Sequence, residues 1–109
     1  MMVNNEIKQR FSRIEQSVQQ ASQAVQADSM TPMELKQCVQ KLDQQTSQAK
    51  SVFLQGQDDD SIRQCVEDLE ELGDRAKSAC ERSKDVSEDV KDAVMMAHRE
   101  LSDLKHQLH

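Results

Sequence analysis

Hydrophobic side chains recur along this chain at steps of three and four. Ile7, Phe11, Ile14, Val18, Ala21 and Val25 follow at steps of 4, 3, 4, 3 and 4, which keeps one apolar stripe on one side of an α-helix. The spacing predicts a helix from Asn4, a candidate N-cap, to about Ala27, where Asp28-Ser29-Met30 breaks the stripe. Thr31-Pro32-Met33-Glu34 then reads as a helix start. Thr is the cap, Pro occupies the first helical position where its missing N–H costs nothing, and Glu can reach back to the cap amide. The second stripe is Leu35, Cys38, Val39, Leu42, Ala49, Val52 and Phe53, interrupted by Gln45 and Thr46 and closed by Gly56, a residue suited to the left-handed position after a helix. Asp58-Asp59-Asp60-Ser61 offers caps and negative charge to a third helix.

From Ile62 to Leu108 the heptad keeps its phase. Ile62, Leu69, Ala76, Ser83, Val90, Ala97 and Leu104 form one column; Val66, Gly73, Cys80, Ser87, Val94, Leu101 and Leu108 form the other. Both columns turn to serine at 83 and 87, where Arg82 and Lys84 suit a helix end and Asp85-Val86-Ser87-Glu88 suits a helix start. A break there gives four helices of nearly equal length, at about 4–27, 32–55, 59–83 and 86–108. One all-α domain over residues 1–109, an antiparallel up-and-down four-helix bundle, is the expected fold. The alternative is three helices with a long C-terminal coiled-coil helix that pairs in a dimer.

Antiparallel alternation would gather Ile7, Phe11, Val52, Phe53, Ile62, Val66, Leu104 and Leu108 at one end of the bundle. The smaller set Ala21, Val25, Leu35, Cys38, Ala79, Cys80 and Val86 falls at the other, with Gln45, Thr46, Gly73 and Ala97 at the waist. A tapering core is expected, and its narrow end should open first. Gly73, inside a helical pattern, implies a close helix crossing, a kink or a hinge.

Composition narrows the functions. The 109 residues carry 14 basic and 20 acidic side chains, a net charge of −6, which disfavours nucleic acid or an anionic membrane surface as partner. No run approaches the ~18 apolar residues of a membrane span and the N-terminus lacks a leader pattern, so a cytoplasmic protein is expected. Cys38, Cys65 and Cys80 lack C-x-x-C spacing and lie on or beside the apolar stripes, as small core fillers do. With two glycines no phosphate loop can be built, and no Glu-x-x-His pair of a di-metal bundle is present. No catalytic residue or cofactor is assigned, and the chain is expected not to be an enzyme.

Three features remain. Residues 1–55 are net +1 and residues 56–109 net −7. Between 58 and 74 eight acidic residues, among them Glu67, Glu70, Glu71 and Asp74, stand against Arg63 alone, so this face is a candidate dock for a basic partner segment. Met95 and Met96 fall outside the stripe through Val90, Ala93, Val94, Ala97 and Leu101 and are candidate contact residues. Asp103, His106 and His109 share a helical face and form a weak candidate metal site. The layout is similar to small bacterial helical bundles and to helical secretion chaperones or adaptors, a likeness of architecture without a shared residue motif. Contact with a partner protein, as adaptor, chaperone or regulatory partner, is the leading expectation. Self-association as a coiled-coil homodimer comes second, and weak metal binding third.

Overall fold

In a computed structural model, which describes residues 5–55, 59–83 and 85–108, the four apolar stripes form four helices. These are α1 (Asn5–Ala27), α2 (Met33–Gln55), α3 (Asp59–Arg82) and α4 (Glu88–Leu108). Helices α1 and α3 each pack against both α2 and α4, the arrangement of an up-and-down bundle. The molecule measures 43 × 20 × 19 Å. The chain folds back between α3 and α4, so both heptad columns of residues 62–108 enter one intrachain core. The long C-terminal helix is thereby excluded. The expected caps at Asn4, Gly56 and Asp58, and Lys84 at the α3 end, lie outside the described residues.

The core divides as the taper predicts. At the wide end Phe11 stacks on Phe53, with ring centroids 4.3 Å apart, among Ile7, Ile62, Val66, Leu69, Leu104 and Leu108, with Val52 packed alongside. At the narrow end Leu35 is joined by valines, alanines and Cys80, with Cys38 at its margin. Thr46, buried at the waist, satisfies its hydroxyl by donating to the Leu42 carbonyl at 2.7 Å, the usual solution for a hydroxyl inside a helix. Of the readings open for Gly73, the structure shows a close approach. A Cβ placed there would lie 3.2 Å from Leu101 Cδ1 and 3.7 Å from His98 Cα, so the glycine lets α4 lie close against α3.

Two helix starts differ from expectation, and Asp28 makes hydrogen bonds at both. Its Oδ1 accepts from the Met30 amide at 3.0 Å, while Oδ2 accepts from the Thr31 hydroxyl at 2.9 Å and from the Ser87 amide at 3.0 Å. Thr31 therefore serves the turn, not the capping box, and Glu34 turns outward to Arg82 at 2.9 Å. Helical bonding begins with Lys36 N–H to the Pro32 carbonyl at 3.0 Å. In the second loop Val86 is buried in the narrow core, which delays α4. Ser87, not Asp85, is the cap, its hydroxyl accepting from the Val90 amide at 3.3 Å. Three hydrogen bonds hold the Asp28 carboxyl below its ordinary value, the Ser87 amide being the strongest influence, then Met30 and Thr31.

Candidate functional site

The residues with chemistry to offer lie on the two flanks of α4. Its buried stripe is Val90, Val94, Ala97, Leu101, Leu104 and Leu108. Lys91, Met95, His98 and Lys105 face α3, while Asp92, Met96, Arg99 and Asp103 fall on the side toward α1.

On the α3 side the acidic cluster meets positive charge from α4. Lys105 Nζ bonds Glu70 Oε2 at 3.1 Å, and His98 Nε2 bonds Asp74 Oδ1. Glu71 pairs along its own helix with Arg75 at 2.9 Å, and Glu67 is also engaged. Arg63 Nε donates to the Leu108 carbonyl at 2.9 Å, satisfying the end of α4. Burial pushes the Asp74 carboxyl up, yet its bonds with His98 and Glu70 and the charges of His98 and Lys77 bring it below its ordinary value. The Glu70 contact raises Lys105 in turn. The expectation that these acids lacked compensating charge is corrected: it counted along α3 and left out the facing helix. The flanking positions of two antiparallel seams meet in space, as e and g positions do in coiled coils. That rule was the available signal.

Toward the narrow end the α3–α4 flank opens into a groove of about 430 Å³ lined by Cys80, Glu81, Ser83, Lys91 and Met95. Met95 is 42% exposed. Burial pushes the Cys80 thiol up to about 11, and burial, then Asp68, raises Cys65. Both are thiols at neutral pH, unlike activated nucleophiles.

Met96, 52% exposed, lies on the opposite flank, so the two methionines do not form one patch. A groove on one side of Met96 is lined by Gln20, Ala24, Asp89, Asp92 and Ala93. A second, of about 250 Å³, is lined by Arg10, Arg13, Arg99, Glu100 and Asp103. Arg10 pairs with Glu6 at 3.5 Å, yet its Nε is buried without an acceptor. Glu100 is held by the Ser17 hydroxyl at 3.0 Å. Arg13 and Arg99 have no ion-pair partner among the described residues. Sequence reasoning missed this arginine group because its members come from helices at opposite ends of the chain.

Asp103 thus belongs to the arginine groove, and His106 is exposed. Neither joins a group of three converging metal-ligand side chains among the described residues, and His109 lies outside them. The group that does converge is Glu70, Asp74 and His98. No helix among the described residues is long and apolar enough to cross a membrane. Comparison with protein-family models, curated proteins and solved structures gives no match.

Proposed function

We propose that the protein works by contact with another protein, seating an amphipathic partner helix along the α1–α4 flank over Met96. The carrying observation is the order of that surface: two aspartates, an exposed methionine, then three arginines set among Glu100 and Asp103, two of the arginines without an ion-pair partner. From Asp89 to Asp103 is fourteen steps of α4, or ~21 Å at ~1.5 Å per residue, room for about four turns of a helix. The apolar side of the partner covers Met96, and an acidic residue at one end meets Arg13 and Arg99, where bidentate pairing favours a carboxylate. The basic-partner reading of the α3 face recedes because its acids are paired within the chain.

A photocrosslinking side chain placed at Met96 in cells tests this. A discrete heteromeric adduct is expected at position 96, absent from the exposed control position Gln44 and lost in the R13E/R99E double variant. Equal labelling at both positions would refute it, and an adduct of twice the chain mass would replace it with self-association.

A further inference from the structure

We propose that Glu70, Asp74 and His98 form a binding site for a divalent transition cation of the zinc class, which ties α3 to α4. One ligand atom from each residue lies within 4.8 Å of the others. Zinc bonds of ~2.0–2.2 Å to nitrogen and oxygen require the ligands to draw somewhat closer, a movement within the reach of side-chain torsions. The donor set selects the ion: an imidazole suits Zn²⁺, Co²⁺ or Ni²⁺, whereas Ca²⁺ and Mg²⁺ prefer oxygen alone. Three protein ligands leave a fourth position for water.

The surroundings are those of a supported site. Glu70 and His98 expose only 14% and 18% of their side chains, so their placement is set by helix packing. Gly73 leaves open the space beside His98, where a Cβ would lie 3.7 Å from both His98 Cα and its ring carbon Cδ2, and the imidazole reaches two carboxylates one turn apart on α3. Those carboxyl groups bond to each other only by sharing a proton and repel when both are ionised; a cation between them takes the place of that proton. Lys105 holds Glu70 through Oε2, an outer contact that orients a ligand. The site is distinct from the C-terminal set Asp103, His106 and His109, and independent of the docking flank across α4.

Titration of the full chain with Zn²⁺, followed by calorimetry and by imidazole resonances, tests the assignment. One equivalent is expected to bind with saturation, moving the His98 ring signals before those of His106 and His109. The H98Q variant, checked for helicity by circular dichroism, should lose at least ~10-fold in affinity. E70Q, which leaves the imidazole in place, should weaken binding as well, and Co²⁺ should give visible absorption in the wild type that H98Q lacks. Non-saturable binding, earlier movement of His106 or His109, or wild-type affinity in folded H98Q would overturn the proposal.

Discussion

The two ends of the bundle are built from different materials. At the wide end two stacked phenylalanines and long aliphatic side chains fill the space. The narrow end relies on Leu35 with valines, alanines and Cys80, and adds a polar tie, Asp28, which joins the α1–α2 turn to the α3–α4 loop. One end is held by apolar volume, the other by a carboxylate as well. Since apolar burial stabilises by ~25 cal/mol per Å², the large side chains make the wide end the more resistant half, and Asp28 offsets part of the shortfall in its own.

The comparison breaks most sharply by truncation at the wide end. Phe53→Ala removes a stacked, buried ring and is expected to destabilise the whole protein by ~3–5 kcal/mol, seen as loss of cooperative unfolding at ordinary temperature. A cost below ~2 kcal/mol would show that the wide end does not dominate. Leu35→Ala at the narrow end should cost about 2 kcal/mol, the low end for this substitution. Its small neighbours can collapse around the vacancy, and hydrogen exchange should quicken near residues 35 and 86 while amides near Phe53 and Leu104 stay protected. Uniform loss of protection would make the two ends one cooperative unit.

Acid probes the polar tie. The native Asp28 carboxyl titrates below its ordinary value of 3.8, chiefly through the Ser87 amide bond, so its contribution is fully present above the ordinary value. It is lost as pH falls through the lower, native value. Protection of the amides of residues 87–90, taken relative to their intrinsic exchange rates, should therefore fall below pH ~3.8 more steeply in the wild type than in Asp28→Asn. Asp28→Asn should already open that loop at neutral pH. Identical acid profiles in both proteins would remove Asp28 from the narrow end's stability.

Much of this was legible from periodicity. The two apolar stripes before residue 56 and the heptad columns after it contain the four helices, the fold-back at Ser83 and Ser87, and the division of the core, because each needs only the knowledge that apolar side chains recur on one face. The candidate sites were less legible, for a physical reason. Glu70 and Asp74 were visible as an acidic group, but their partners Lys105 and His98 stand 35 and 24 residues away. Arg10 and Arg13 meet Arg99 only after α1 and α4 pack, and Asp28 reaches Ser87 across 59 residues. Local pattern describes faces; which polar flanks meet depends on the register between helices, and a capping motif yields when a stronger acceptor is folded against it.

Gly73→Ala should produce the smallest change in stability and the most informative one. Alanine gains ~0.8–1.0 kcal/mol of helix propensity, while its Cβ would stand 3.2 Å from the end of the Leu101 side chain. That end belongs to a flexible chain, but Leu101 is fully buried, so it moves only by disturbing the core at the waist. The two effects are of similar size and opposite sign, and a net change within ~1 kcal/mol is expected in a denaturant titration. The adjustment should be read elsewhere: the new methyl would make only ordinary contact with His98 Cα, 3.7 Å away, so any effect on the imidazole passes through the shift that Leu101 must make. Weaker Zn²⁺ binding with nearly unchanged stability would assign the glycine to positioning His98. A gain of a full ~1 kcal/mol with unchanged Zn²⁺ binding would instead show that the close approach serves neither end of the bundle nor the site between α3 and α4.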